Sequence, residues 1–283
     1  MRRADGLARA GDLISARHQR AWGDLRIAFK RREGASVLAR LRQDGCLKAR
    51  FPRLEEGAWA GAVTLNSAGG VAGGDRLRTG VTAGEGTAVT VASQAAERFY
   101  RALPGSVSEV ANALSVESGA ALEWLPQETI LFDGSALRRK LTVEIAEGGW
   151  FLGVESLVFG RTAMGETVRR VALSDLIEIR RAGRLALHDR IRFEGDAAEA
   201  LGRAALGAGA CAVATLLLVA PEAGDRVDAL RAALAPFEAG ASAWDGMLVA
   251  RIVAQDGACL RAATVAGLDV LRAGRPLPRV WSC

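Results

Sequence analysis

The sequence predicts a mainly β protein, and three observations carry that expectation. Short runs that alternate apolar and polar residues recur through the first two thirds of the chain. Gly, Asp or Pro punctuates nearly every gap between them, and one run, Phe151–Phe159, is apolar on both faces. Period-two alternation marks a strand with one buried face; a run apolar throughout marks a strand covered on both sides. Even spacing of such runs favours antiparallel sheet layers in a meander, or β-helix-like stacking, over βαβ units. Two or three short helices complete the expectation. With 283 residues and half of them hydrophobic, the chain has enough apolar material for one substantial core. No internal repeat or disordered linker divides it, so residues 1–283 read as a single domain, with 1–20 as an Arg-rich, partly ordered lead-in.

In order, Leu25, Ile27 and Phe29 alternate with Arg26, Ala28 and Lys30 as a half-buried strand. Comparable runs follow at Ser36–Arg42, Cys46–Phe51, Trp59–Asn66, Arg76–Val81 and Thr87–Ser93. Gln94–Arg101 reads as a short helix, with Ser93 to cap it and Pro104 beyond its end. Strands resume at Val110–Glu117, Ala121–Leu125 and Glu128–Phe132. Asp133-Gly134 then signals a hairpin into the alternating Leu137, Leu141, Val143 and Ile145. After Phe151–Phe159, Ile177–Arg181 and Leu185–Phe193 form a second hairpin around Ala182-Gly183. From Asp196 the chain is alanine-rich: Ala210–Val219 reads as a buried strand, and Asp225–Leu234 as a helix capped by Asp225. Met247–Val253 and Cys259–Thr264 read as the last strands, and Gly267–Ala273 as a terminal helix.

Charge and composition narrow the function. The net charge of +5 rests almost entirely on arginine, since only Lys30, Lys48 and Lys140 are lysines. Such a field favours an acidic partner; without RNA-binding signatures or zinc-finger spacing, nucleic acid is the weaker choice. Cys46, Cys211, Cys259 and Cys283 lie far apart with no C-x-x-C pair, against both a zinc site and a disulfide framework. No apolar segment at the N-terminus resembles a Sec-type signal, and the longest apolar run, Ala210 to Ala220, is too short to span a bilayer. A reduced, cytoplasmic protein away from the membrane is expected.

Catalytic motifs are missing. Gly69-Gly70-Val71-Ala72-Gly73-Gly74 is followed by Asp75-Arg76, not by the Lys-Ser/Thr of a phosphate loop, and its glycines lack the dinucleotide spacing. Gly207–Ala212 matches G-x-G-x-x-A, but its strand follows where it should precede. The two histidines, His18 and His188, have no nucleophile and orienting partner within a recognisable pattern. A hydrolase or nucleotide-dependent enzyme therefore stands only as the alternative. More informative are charges on apolar faces: Arg139 in phase with Leu137 and Leu141, Asp189 in phase with Leu187 and Ile191, and Glu155 inside Phe151–Phe159. A buried charge must be paired or hydrated, so these three either pair with one another or line a polar interior.

Several blocks resemble the urease accessory protein D family (also called H). They are Leu65–Leu77, Ser93–Arg98, Leu122–Ile130 with Phe132-Asp133-Gly134, Gly153–Arg161 with Gly165-Glu166, and Leu277–Trp281. They follow the family's order and span nearly the whole chain; Ser67-Ala68 departs from it, where relatives often carry proline before the glycines. The resemblance implies a mainly β fold with few helices and a non-catalytic role. It implies binding to apo-urease and to accessory proteins F and G, in support of nickel delivery. No tightly bound cofactor follows from it, only transient Ni2+. Asp75, Glu128, Asp133, Glu155, Glu166 and Asp189 lie in these blocks or on apolar faces. They are the expected liners of a hydrated nickel passage, although Asp75 serves equally well as a turn residue. The tail Arg275–Trp281 combines Arg with an aromatic ring, a composition of interfaces and equally one that lays Trp281 over the core.

Overall fold

The computed structural model describes residues 20–52, 59–161 and 164–282; the lead-in up to residue 19, with His18, and Cys283 lie outside them. Two sheets face each other. The first holds β1 (Trp22–Arg32), β2 (Ala35–Gly45), β5 (Arg76–Ala83), β8 (Ser108–Val116), β11 (Ser135–Ile145), β13 (Val171–Arg181) and β14 (Arg184–Gly195), in the order β14-β13-β11-β8-β5-β1-β2. The second runs β16 (Ala239–Trp244), β17 (Met247–Ala254), β15 (Ala212–Val219), β12 (Trp150–Phe159), β9 (Ala121–Leu125), β6 (Ala88–Ser93), β4 (Ala60–Asn66), β3 (Leu47–Arg50). Two three-residue strands, β10 (Thr129–Leu131) and β7 (Glu97–Phe99), extend from β12.

The expectation of a mainly β fold with few helices holds, and the stacking is β-helix-like. The antiparallel meander does not hold for the interior. From β4 to β13 the chain crosses from one sheet to the other at nearly every turn, so the strand beside each strand comes from the next coil and runs parallel to it. Antiparallel strand pairs lie toward the ends of the sheets: β1–β2, β3–β4, β13–β14, β12–β15, β15–β17 and β16–β17. Asp133-Gly134 accordingly makes no hairpin; it turns the chain from β10 in the second sheet to β11 in the first. Ala182-Gly183 does make one, with both central residues at positive φ (47° and 76°), the geometry of the tight primed hairpin turn.

The alternation sorts side chains into two cores. Leu25, Ile27 and Phe29 of β1, Leu137 and Leu141 of β11, and Phe151, Leu157 and Phe159 of β12 meet between the sheets. Leu152, Val154 and Val158 of β12, with Leu216 and Leu218 of β15, face outward under α2 (Val227–Leu234) and α3 (Gly257–Leu271). Phe151–Phe159 is apolar throughout because both of its faces are covered. A short helix α1 (Ala197–Gly202), capped by Asp196, precedes β15.

Three further expectations are corrected. Gln94–Arg101 is a bend followed by β7. Cys259–Thr264 is helical: Asp256 caps α3 by accepting from the Cys259 amide at 2.8 Å, and Leu260, Ala263, Gly267 and Leu268 recur on the buried face. The expected terminal helix is the end of that same α3. Asp225 does not cap α2, which a 3-10 turn over Ala223–Arg226 introduces. No helix among the described residues is long and apolar enough to cross a membrane.

Candidate functional site

Arg139 points inward from β11 because it shares its phase with Leu137 and Leu141. Its register partner on β13 is Asp175, which shares phase with Leu173 and Ile177. The guanidinium donates twice to Asp175, from Nε to Oδ1 at 2.8 Å and from Nη2 to Oδ2 at 2.6 Å. From the opposite sheet Glu155 Oε2 lies 2.7 Å from Nη1, which also donates to Thr129 Oγ1 at 2.7 Å. Trp124 Nε1 donates to the other Glu155 oxygen at 3.0 Å. All five residues are buried. One guanidinium thus answers two carboxyl groups, one from each sheet. Burial pushes the Glu155 pKa up; Arg139 opposes the rise and Asp175 adds to it.

Arg139, Glu155, Trp124 and Thr129 form one wall of a cavity of about 280 Å³ between the sheets. Thr79 of β5 and Asn112 of β8 add polar lining, and the far side is built by Asn66, Gly70 and the Gln94–Phe99 segment. The glycine-rich stretch shapes that side. Val71 is laid against β7 as an extra bridge, its amide donating to Arg98 O at 2.8 Å while its carbonyl accepts from Tyr100 N at 2.9 Å. Gly70 sits at φ +145°, and a Cβ there would overlap the Tyr100 ring, so only glycine permits the approach. Glu97, at the cavity edge, accepts from Asn66 Nδ2 at 3.3 Å.

Burial raises the Glu97 pKa to about 7, against the lowering effect of Asn66 and Arg98. In an unfolded chain the group titrates near 4.5, so between these pH values the folded state holds a proton that the unfolded state has lost. Stability contributed by this group is present at low pH and falls as pH rises toward 7. A Glu97→Gln chain, which cannot ionise there, is expected to unfold at the same temperature as the wild type near pH 4.5. It should become the more stable of the two by pH 8. Thermal unfolding of both across that range checks this; parallel curves would refute it.

The residues singled out from sequence do not converge. Glu155 alone lines the cavity. Asp75 is buried and fastens its loop, accepting from the amides of Ala21 and Ala72 at 2.8 Å each. Glu128 pairs with Arg261 at 2.8 Å beside the tail. Asp133 accepts from the amides of Arg169 and Arg170, at 3.0 and 2.9 Å, and pairs with Arg101 at 2.9 Å. Glu166 binds Arg161 at 2.8 Å and accepts from the Asp133 amide at 3.1 Å. Asp189 faces inward, but at the open margin of the sheets, where Arg251 of β17 meets it at 2.7 Å. Among the described residues no group of three or more His, Cys, Asp or Glu could hold a metal ion.

Sequence reasoning missed Asp175 and Glu97, and also Glu123. Asp175 carried the same signal as Arg139, a charge in phase with apolar neighbours; Glu97 was hidden by the helical reading of its segment. Glu123 is fully buried on the outer side of β9, bound by Arg272 at 2.9 Å, Arg275 at 2.7 Å and Thr90 at 2.6 Å. Burial pushes its pKa up, but the contacts with Arg272 and the others outweigh this and leave it below the usual range.

A family model described as UreD urease accessory protein matches residues 21–282. The chain is similar to Urease accessory protein UreD 1 of Bradyrhizobium sp. (strain ORS 278), 42% identical over 281 residues and 99% of both chains. It is 46% identical over 255 residues to Urease accessory protein UreD of Methylobacterium sp. (strain 4-46), covering 88% of this chain and 89% of that one. The Rhizobium etli protein of that name is 43% identical over 269 residues, with 95% and 97% covered.

Proposed function

Because the chain belongs to the UreD urease accessory protein family, an assembly-factor family and not a family of enzymes, we propose that it matures urease as a scaffold, one domain working in the cytoplasm. It binds the apo-urease subunits and the accessory proteins F and G, and nickel bound for the urease active site passes through its polar cavity. The alternative of a hydrolase or nucleotide-dependent enzyme falls with family membership.

The single observation that supports the passage is the set of carboxyl groups on the cavity wall. Glu155 lines the cavity beside Arg139, the counter-ion it shares with Asp175, and Glu97 stands at the edge of the same space. Oxygen ligands hold nickel less tightly than imidazole or thiolate, and a conduit needs entry and exit to be comparably easy. Carboxyl oxygens along the wall without a chelating cluster meet both needs. Glu128, Asp133, Glu166 and Asp189 are committed to arginines elsewhere, and Asp75 to its loop, so Glu155 is the residue of the six on which the proposal rests.

Glu155→Gln removes the ionisable carboxyl while keeping an acceptor for Trp124 and leaving Arg139 with Asp175. Urease matured in cells with this variant is expected to co-purify with the accessory proteins normally yet hold about tenfold less nickel, the scale of effect of altering a metal's ligand surroundings. Asp189→Asn, outside the cavity, should leave nickel content as in the wild type. Full nickel loading with Glu155→Gln would remove the passage.

A further inference from the structure

β7 has two sides. Glu97 and Phe99 point into the interior, and Arg98 between them points out into a second, external cleft of about 270 Å³ lined by Arg98, Tyr100, Ile130, Phe132 and Arg161. Its floor is aromatic: the Tyr100 and Phe132 rings meet edge to face with centroids 5.2 Å apart. Arg161 lies over the Phe132 ring at 4.4 Å and is held there by Glu166. Tyr100 is itself fixed, its hydroxyl donating to Gly69 O at 3.1 Å. Arg98 is exposed and makes no ion pair among the described residues.

The charge around this cleft is unbalanced. Arg101 and Arg170 flank Asp133 next to it, and Arg169 is exposed beside them. Among the described residues, five guanidiniums therefore surround two carboxyl groups, Asp133 and Glu166. Those two are already engaged by backbone amides as well: Asp133 by Arg169 and Arg170, Glu166 by Asp133 and Arg161. Exposed Met164, whose amide donates to Arg161 O at 2.8 Å, adds apolar surface beside it. Rigid aromatic rings, guanidiniums held in place and a polar rim are the composition of interface hot spots.

We infer that this cleft docks an acidic segment of a protein partner, with a carboxylate on Arg98 and Arg161 and an apolar side chain against Tyr100 and Phe132. The inference rests on the reading that the chain works by binding urease and the other accessory proteins. Planar guanidiniums accept a carboxylate in bidentate fashion and stack on aromatic rings at the same time. Stacking on Phe132 leaves the free edge of Arg161 directed to the visitor. The positive surplus gives the encounter its salt dependence.

The test is charge reversal at Arg98, the one cleft arginine without an internal ion pair to break. The full chain is co-expressed with the urease subunits and accessory proteins F and G and recovered by affinity purification in low salt. Arg98→Glu is expected to reduce retention of at least one of these proteins about tenfold, as loss of a central interface charge does. Arg98→Lys, which keeps the charge but not the bidentate geometry, should fall between Arg98→Glu and the wild type, and Arg192→Glu, an exposed reversal on β14, should retain all of it. The melting temperature of Arg98→Glu should stay within about 2 °C of the wild type, as for exposed substitutions generally. If the wild type retains none of these proteins, the partner-binding reading fails and takes the inference with it. If the wild type retains them and Arg98→Glu retains them equally, the docking cleft is wrong while the reading stands. If Arg98→Glu instead weakens only binding of a single-stranded DNA oligonucleotide, the occupant is nucleic acid and the inference is overturned.

Discussion

An Arg139→Met chain is expected to be less stable than the wild type by about 3–5 kcal/mol, the usual consequence of removing one partner from a buried ion cluster. For a domain of this size that is a fall in melting temperature on the order of 10 °C. The physical reason is local. Glu155 and Asp175 would be left buried without the counter-ion they share, and Thr129 Oγ1 would lose its donor. Glu155 would lose the neighbour that opposes the rise in its pKa, so that pKa would climb further. A carboxyl whose folded pKa is raised favours the folded state at low pH and loses that advantage as pH rises. The deficit should therefore be largest above neutrality and shrink toward pH 5. Urea and thermal unfolding at both ends of that range test it. In a triple variant that also carries Glu155→Gln and Asp175→Leu, the buried charges are gone and most of the stability should return. A melting temperature for Arg139→Met within about 2 °C of the wild type would mean that water already screens the cluster.

Deleting residues 275–283 is expected to be comparably damaging, and to lower stability before it touches any partner. The tail is fastened to the second sheet. Trp281 is buried, with Nε1 donating to Leu125 O at 3.1 Å and Arg261 over its ring at 5.2 Å. Gln127 Nε2 donates to Val280 O at 2.6 Å, and the Arg275 guanidinium reaches Glu123 at 2.7 Å while lying 4.2 Å from the Trp59 ring centre. Losing a buried Trp alone removes about 3–5 kcal/mol, and Glu123 would lose one of its two arginines as well. The deletion should unfold about 10 °C or more below the full chain. Trp281→Ala should reproduce at least half of that fall. A deletion that melts with the wild type would return the tail to the role of a free docking arm that its composition also allowed.

These two clusters mark where sequence reading reached and where it stopped. The alternation of Leu25, Ile27 and Phe29, or of Leu137 and Leu141, sets which face of a strand is buried whatever strand lies beside it. The same reasoning put Arg139 and Glu155 inside, since a charge in phase with buried leucines has to find a partner there. It applied equally to Asp175, which went unread. Phase says nothing, however, about position across a sheet. Asp189 obeys the same pattern as Arg139, yet β14 is a margin strand, so Asp189 meets Arg251 at the open side and not the cavity.

Partner choice was the larger gap. Asp133-Gly134 and Ala182-Gly183 are similar local signals. One turns the chain into the facing sheet and the other folds it back onto its neighbour, because a tight turn needs positive φ in either case. Which outcome follows depends on whether the next strand's apolar face is better covered by the same sheet or by the opposite one, a question decided over tens of residues. Cys259–Thr264 shows the same limit from another side, since a short apolar run fits a buried strand or a helix face equally. The second sheet's outer surface of Leu152, Val154, Leu216 and Leu218 needed a cover, and Asp256 could cap a helix there. Local patterning determined that strands form and which way each faces. Only the assembled layers decided that they coil in parallel, that a helix closes the outer face, and that Arg139, Glu155 and Asp175 meet in one buried cluster.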